Sequence, residues 1–323
     1  MKKTLVLLAI LGSIGLISAY VILNPVIKVG MKSAPGINVS KDRLYADVQY
    51  LTHIKPARQA FNPAGIEQAA TYIYQEFKKV SDRVSYQEFP VNGQTYKNVI
   101  CTLGPAAGER IVLGAHYDVC GNQAGYADDN ASGVAGLLEL ARLLQAQEAN
   151  LRYRIDLVSF CLEEPPFFKT EAMGSAVHAK SLKKESVAVK AMVCLEMIGY
   201  YSEEKGSQRY PVPGMDAIYP DKANFISVVG DLNQNQLVAH VKKYMLAGST
   251  IDVQSLNAPA SIPGVDFSDH LNYWANGYPA VMITNTSFYR NPNYHQVTDT
   301  IDTLDFAKMA EVVKGVYWAV LHL

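Results

Sequence analysis

Residues 110–144 read RIVLGAHYDVCGNQAGYADDNASGVAGLLELARLL, and this stretch contains the pattern that decides the fold. Arg110 to His116 is an apolar run of strand length, while Val134 to Leu144 places apolar residues at helical spacing. A polar connection that includes Asp128 and Asp129 lies between them. A strand that leads into a helix in this way is the repeating unit of parallel sheets.

The same alternation recurs on both sides of this stretch. Asn62-Pro63 predicts a helix start, and Ser132 is expected to cap the helix that follows it. Because strands alternate with helices, we expect an α/β fold whose largely parallel sheet is covered on both faces, in one domain over residues 41–323. Further strands are expected at 84–89, 96–103, 155–161, 187–197, 225–230 and 280–284, and further helices at 63–77, 175–182, 233–245, 269–275 and 305–322.

Composition narrows the classes of function. The 323 residues are 49% apolar and include 29 basic against 30 acidic side chains, a net charge of −1, so disorder is excluded. Since no cluster of Lys and Arg is present to neutralise phosphates, nucleic acid is not an expected partner. Any ligand must therefore be recognised by a local site.

The amino terminus departs from this even composition. Lys2 and Lys3 precede the uncharged run Thr4 to Leu23, which is long enough to cross a bilayer, and residues 26–40 read as a linker. Residues 1–25 fit either a signal peptide or an uncleaved anchor, and Ile17, at position −3 of a cut after Ala19, slightly favours the anchor. We expect an exported protein, periplasmic or extracellular, that meets the membrane only through residues 4–23.

Metal-binding side chains follow several of the predicted strands. Taken singly, the acidic pairs could be helix caps or solvated turns. Together they supply two imidazoles and several carboxylates to the one sheet edge where α/β proteins bind ligands. This donor set suits Zn²⁺, and a carboxylate that bridges two ions about 3.5–4 Å apart is typical of two-metal hydrolases. The residues are His116, Asp129, Glu163, Glu164, Glu196 and His295.

The order of these motifs resembles the M28 family of zinc peptidases, over about Asp42 to Leu323. The resemblance implies a di-zinc aminopeptidase-like fold with a central mixed, mostly parallel sheet between helices, and a peptide substrate. The matching segments are Gly114-Ala115-His116-Tyr117-Asp118, Ala127-Asp128-Asp129-Asn130-Ala131-Ser132-Gly133, Glu163-Glu164, Gly174-Ser175, Leu195-Glu196-Met197-Ile198-Gly199, Ser268-Asp269-His270 and Tyr294-His295.

The resemblance also implies the metal ligands. His116 and Glu196 would hold the first of two zinc ions, Glu164 and His295 the second, and Asp129 would bridge them. Glu196 stands where many members of the family have Asp, so the first zinc is held by a side chain one methylene longer.

Three further roles follow from the same resemblance. Glu163 would be the general base, Asp118 the carboxylate behind the ring of His116, and Tyr294 a stabiliser of the oxyanion. The loop after Glu164 is longer than usual, and we expect its Phe167 and Phe168 to line an apolar side-chain pocket.

Several functions stay open at this point. The leading one is a metal-dependent exopeptidase that removes N-terminal residues. A single-zinc glutaminyl cyclase on the same scaffold, a carboxypeptidase acting on dipeptides and a non-catalytic ectodomain are the alternatives. The complete set of five ligands favours hydrolysis, because a one-metal enzyme does not need all of them.

Overall fold

The computed structural model describes residues 2–25, 36–122 and 125–323. The predicted linker therefore lies for the most part outside the described residues, since only 36–40 of it is included. The helices are α1 Lys2–Leu23, α2 Lys41–Thr52, α3 Pro63–Lys78, α4 Gly133–Gln145, α5 Gly174–Lys184, α6 Asn235–Gly248, α7 His270–Ala275 and α8 Phe306–Val320.

The strands form one mixed sheet of eight, in the order β1-β2-β4-β3-β5-β8-β6-β7. The four central strands, β4, β3, β5 and β8, run parallel to one another. Strands β1 and β2 form an antiparallel hairpin at one edge, and β6 pairs antiparallel with β8 and parallel with β7 at the other. The strands are β1 Val84–Val91, β2 Gln94–Leu103, β3 Arg110–His116, β4 Arg154–Phe160, β5 Val189–Glu196, β6 Phe225–Gly230, β7 Asp252–Asn257 and β8 Ala280–Thr284.

Alternate side chains of the central strands enter two separate cores. In β3, Ile111, Leu113 and Ala115 pack with helices α2, α3, α4, α6 and α8, whereas Val112 packs on the opposite face with α5 and α7. A strand that is buried on both faces has to be apolar throughout, which explains the continuous apolar runs in the sequence. The predicted fold class, with helices on both faces of a mixed sheet, is confirmed.

Two elements of the structure were not predicted, and two predicted helix caps are absent. Helix α2 and edge strand β7 were not predicted, because α2 is short and mostly polar and β7 carries Asp, Gln, Ser and Asn at four of its six positions. The side chain of Asn62 makes no capping bond to α3. Ser132 does not cap α4 either, because its backbone is already helical.

Candidate metal centre

The predicted ligands meet at the carboxyl ends of adjacent parallel strands. His116 is the last residue of β3, Glu196 is the last residue of β5, and Glu163 and Glu164 follow β4 after a two-residue step. His295 lies on the loop that follows β8. Asp129 lies in the turn Ala127–Ser132 before α4, where its backbone is not helical, with φ of −103° and ψ of 99°. Since β4, β3, β5 and β8 are neighbours in the sheet, side chains far apart in the chain come within a few ångströms of one another.

Asp129 lies between two pairs of side chains. Its Oδ1 is 3.4 Å from His116 Nε2, which is itself 3.3 Å from Glu196 Oε2. Its Oδ2 is 3.1 Å from His295 Nε2, which is 3.2 Å from Glu164 Oε2. Each carboxylate oxygen of Asp129 therefore faces a separate histidine–glutamate pair.

These separations fit a metal-binding role for the donors. In a tetrahedral zinc site with ligand distances of about 2.0–2.1 Å, neighbouring ligand atoms lie about 3.3 Å apart. The four distances given above fall close to this value. In addition, Glu164 Oε1 is buried and has no hydrogen-bond partner among the described residues. A buried carboxylate oxygen without a partner is costly unless a cation occupies the site.

The acidity of these groups reflects their crowding. Burial, followed by repulsion from Asp129, raises the pKa of Glu164 to about 7. Burial likewise raises the pKa values of Glu163 and Glu196. Burial lowers the pKa of His295, but hydrogen bonds to Asp129 and Glu164 outweigh it and raise the pKa to about 10. Without a cation, the site therefore holds protons that a bound metal would displace.

Comparisons with known proteins agree with this geometry. The sequence model that describes peptidase family M28 matches residues 98–320 of this chain. The chain belongs to peptidase family M28. The predicted family and the predicted metallopeptidase class are thereby confirmed.

Two relatives place this M28 peptidase more closely. It is 48% identical over 286 residues to the uncharacterized protein YfbL of Escherichia coli (strain K12), which covers 86% of this chain and 87% of YfbL. It is 28% identical over 303 residues to a probable leucine aminopeptidase of Trichophyton verrucosum, covering 88% and 73% of the two chains.

Solved structures share the fold of this M28 peptidase. A zinc aminopeptidase from Bacillus subtilis matches with a TM-score of 0.70 at 15% identity, covering 89% of this chain and 96% of that one. A glutaminyl cyclase from Bacteroides thetaiotaomicron matches with a TM-score of 0.65 at 20% identity, covering 88% and 100%. The same architecture therefore occurs in proteins of both names, and the architecture alone does not separate the two activities.

Asp118 holds the backbone turn that carries Glu163 and Glu164. Its carboxylate accepts the backbone N–H groups of Glu163 and Glu164, both at 3.1 Å. The Nδ1 of His116 is 3.2 Å from the main-chain oxygen of Asp118 and 3.6 Å from its carboxylate. The main-chain oxygen of Asp118 therefore lies within hydrogen-bond distance of the His116 ring, and its carboxylate fixes the backbone from which Glu163 and Glu164 project.

Asp299 supports the turn of Asp129, and sequence reasoning missed it. Its carboxylate accepts the N–H groups of Asp128 at 3.0 and 3.1 Å and of Asp129 at 3.0 Å. Burial, then repulsion from Asp128, raises the pKa of Asp299 to about 8. The residue lies 170 positions away from Asp129 on an irregular loop, so no periodic pattern or neighbouring motif signals the contact.

Asp128 is a structural residue of the same turn. Its carboxylate accepts hydrogen bonds from the side-chain amides of Asn285 and Asn291, each at 2.8 Å, and from the N–H of Gly199 at 2.8 Å. Ser132, which was expected to cap α4, instead donates its hydroxyl to the Asp128 carbonyl at 2.7 Å. The adjacent acids Asp128 and Asp129 therefore differ, since Asp128 ties loops together and Asp129 faces the histidines.

A cleft of about 270 Å³ opens beside the ligands of this M28 peptidase. Its polar end includes Glu163 and Tyr294, and the ring of Tyr294 stacks on His295 at 3.8 Å between ring centroids. Its apolar wall includes Phe168, which packs edge-on against Phe267. Phe167, also expected in this pocket, is buried against Phe61 and Tyr96 instead, so that expectation is wrong for Phe167.

Proposed function

We propose that this M28 peptidase is a two-zinc aminopeptidase that removes apolar residues from the amino termini of peptides. The observation that carries the proposal is the position of Asp129, whose two oxygens each face a histidine–glutamate pair at 3.1–3.4 Å. Such an arrangement provides for two metal ions bridged by one carboxylate.

The ligand sets follow from these contacts. His116, Glu196 and Asp129 would hold one zinc ion, and His295, Glu164 and Asp129 the other. Zinc ions at these positions would supply Lewis-acid chemistry by polarising the water and the substrate carbonyl. The three carboxylates would offset most of the charge of two divalent ions, and the two neutral imidazoles would add donors without charge, which accounts for so many buried acids in one place.

Glu163 is the proposed general base. Glu163 is 7% exposed, and its Oε2 is 3.8 Å from His116 Nε2, farther than the 3.1–3.4 Å between the proposed ligand atoms. It takes a proton from the water that attacks the peptide carbonyl and passes this proton to the amine that leaves when the C–N bond breaks. The raised pKa of Glu163 suits a group that accepts and returns a proton near neutral pH.

Tyr294 and Asp118 have supporting roles in the proposal. Tyr294 lines the cleft beside Glu163 and Glu164, where its hydroxyl would stabilise negative charge that develops on the carbonyl oxygen. Burial raises the pKa of Tyr294, so the hydroxyl keeps its proton and can donate it in a hydrogen bond. Asp118 orients His116 and holds Glu163 and Glu164 through their N–H groups.

The cleft supports an apolar substrate side chain. Its wall away from the ligands includes Phe168, Val229, Val265, Phe267 and Met282. An apolar wall beside a polar reaction centre selects substrates by the burial of a side chain. The leucine aminopeptidase names of several relatives agree with this preference.

The proposed location is outside the cytoplasm. Helix α1 is long and apolar enough to cross a membrane, and none of its most apolar window is buried inside the protein. With Lys2 and Lys3 on the cytoplasmic side, the domain that follows α1 is exported, to the periplasm or the exterior.

A substrate panel tests the proposed activity against the cyclase alternative. The detergent-solubilised chain is assayed with leucine, phenylalanine and alanine amides, with N-acetylated forms of the same amides, and with a peptide that begins with glutamine. We expect release of leucine or phenylalanine from the free amines only, loss of activity on chelation and recovery with zinc. Cyclisation of the glutamine peptide without hydrolysis of the amides would contradict the proposal.

A further inference from the structure

The end of α1 is buried in the domain, in contrast to the rest of that helix. Side chains from Leu5 to Tyr20 are largely exposed, with Leu16 at 75%, whereas Asn24 is only 3% exposed. Asn24 ends the helix in a left-handed conformation, with φ of 41°, and its N–H donates to the carbonyl of Tyr20 at 2.9 Å. The helix therefore stops at the surface of the domain, at a defined residue.

Polar side chains of the domain bind the last carbonyls of α1. The carbonyl of Val21 accepts the side-chain amides of Asn235 at 2.7 Å and Asn257 at 2.9 Å. Asn235 also donates to Asn24 Oδ1 at 2.7 Å, and its own carbonyl accepts Asn24 Nδ2 at 3.1 Å. These contacts satisfy groups that the end of a helix otherwise leaves to water.

A buried lysine reinforces the contact with the helix end. Lys242 is 8% exposed, and its Nζ donates to the carbonyl of Leu23 at 3.1 Å and to Ser255 Oγ at 3.2 Å. Ser255 in turn donates its hydroxyl to the same Leu23 carbonyl at 2.5 Å. No carboxylate among the described residues forms an ion pair with Lys242, and a cation at the carboxyl end of a helix is favoured by the helix dipole.

From these contacts we propose that α1 is an uncleaved anchor whose end docks on the domain. The dock consists of Asn235 and Lys242 of α6 together with Ser255 and Asn257 of β7. Cleavage after Ala19 would leave only Tyr20 to Leu23 of α1, which is too short to hold a helix by itself, so the carbonyls of Val21 and Leu23 would lose the helix end that presents them to Asn235, Asn257 and Lys242. The dock therefore fits the chain that keeps the whole of α1, because its polar side chains bind the end of an intact helix.

Docking fixes the orientation of the catalytic domain on the membrane. The edge of the sheet at β7 faces the bilayer, and the same strand lines the cleft through Leu256. Leu232, three residues before Asn235, is 50% exposed and adds an apolar contact beside the dock. Substrate peptides would accordingly be taken up close to the membrane surface, within one strand of the anchor.

Intact mass tests whether the anchor is retained. This step rests on the proposed membrane location and is independent of the proposed peptidase chemistry, because activity is not a readout. The full chain with a carboxyl-terminal tag is expressed in a bacterium, and its membranes are washed with alkaline carbonate. We expect the protein to stay in the membrane with the mass of the chain from Met1, 35.5 kDa plus the tag. An amino terminus at Tyr20 or beyond would overturn the proposal, and release by carbonate would refute membrane insertion itself.

Cysteine cross-linking tests the dock in the membrane-inserted chain. Asn24 and Asn235 are replaced together by cysteine, and a protease site within residues 26–35 allows the two halves to separate on a gel unless they are cross-linked. The matched control pairs Asn24→Cys with Gln236→Cys, an exposed position about 100° round the same helix. A single Asn24→Cys variant accounts for the native, partly exposed Cys120. We expect most chains with the 24/235 pair to cross-link under mild oxidation, at least fivefold more than the control pair. Equal yields for the two pairs would exclude docking even if the anchor is retained.

Discussion

Two clusters of carboxylates in the described part of this protein have different partners. The strand-end cluster, Asp129, Glu163, Glu164 and Glu196, forms ion pairs only with the two histidines among the described residues. The helix cluster consists of Asp47, Glu76 and Glu139, from α2, α3 and α4.

Every acid of the helix cluster has an arginine partner. Arg142 contacts all three acids, at 2.7 Å to Asp47, 3.0 Å to Glu76 and 3.2 Å to Glu139. Arg43 adds two bonds to Glu139, at 2.6 and 2.8 Å. The comparison teaches that buried acids alone do not indicate a site. Four acids that share two histidines and have no Lys or Arg partner among the described residues do indicate one, because they require a cation from outside the chain.

The largest predicted difference between the two clusters is catalytic. Glu163→Gln removes the proposed base but keeps its size, and we expect kcat to fall by about 10³-fold or more while zinc content stays unchanged. Glu76→Gln in the helix cluster is the matched control and should retain wild-type kcat. Zinc analysis and amide hydrolysis measure both variants. A Glu163→Gln variant with near wild-type kcat would remove Glu163 from its role.

A ligand substitution separates the two metal positions. His295→Ala removes one donor of the second position only, so we expect about one zinc per chain to remain, held by His116, Glu196 and Asp129. His240→Ala is the control, because His240 contacts the carbonyl of His322 far from the cluster. Two tightly bound zinc ions in His295→Ala would show that His295 is not a ligand.

Substitution of Asp299, whose carboxylate holds the turn that carries Asp129, is expected to have a smaller effect on zinc binding and activity. Asp299→Asn replaces one acceptor oxygen by an NH2 group, which cannot accept a hydrogen bond from the N–H groups of Asp128 and Asp129. We expect a loss of about 10–100-fold in zinc affinity or activity, which is usual for residues that orient metal ligands. Asp302→Asn, three positions further along the chain, should have no effect. Equal zinc affinities in both variants would limit Asp299 to a role in folding.

The smallest effects concern stability, and they have opposite signs for Glu164 of the strand-end cluster and Glu139 of the helix cluster. In the metal-free protein the pKa of Glu164 is raised by burial to about 7 from an ordinary value near 4.5, so stability is greatest below the lower value and falls as pH rises toward 7. For Glu139, burial opposes ionisation, but the bond from Arg43 outweighs it and lowers the pKa. Its contribution is therefore present above the ordinary value and is lost as pH falls below it.

Thermal unfolding of chelated protein between pH 3 and pH 7 measures both signs. We expect the unfolding temperature of the chelated protein to fall from pH 5 to pH 7, and zinc to abolish that fall. Glu139→Gln should reduce the loss of stability at the acid end. A chelated protein that becomes more stable from pH 5 to pH 7 would contradict the assignment of Glu164.

The sequence was informative about the strand-end cluster because chemistry and topology coincide there. An apolar strand that ends in His116 or Glu196 can be recognised in the sequence, and a parallel sheet brings the ends of such strands together. The helix cluster carries no comparable signal, since acids and arginines on helices usually face water. Contacts across long separations, such as that of Asp299 with Asp129, depend on loop paths that no periodic pattern encodes.

The directions in which loop side chains point also could not be predicted from the sequence. Phe167 and Phe168 are adjacent and chemically alike, yet one is buried in the core and the other lines the cleft. The edge strand β7 was missed because two of its positions that an ordinary strand would fill with apolar residues are Ser255 and Asn257, which bind the end of α1. Polar residues that serve one specific contact do not follow the alternation from which strands are predicted.

Zinc content of the purified full-length chain tests the central claim most directly. The claim is that the strand-end cluster is neutralised by two metal ions that Asp129 bridges. Elemental analysis after exhaustive dialysis should give about two zinc ions per wild-type chain and fewer than one per Asp129→Ala chain. The control variant Glu76→Gln should bind as much zinc as the wild type. One zinc per wild-type chain, or two in Asp129→Ala, would contradict the account.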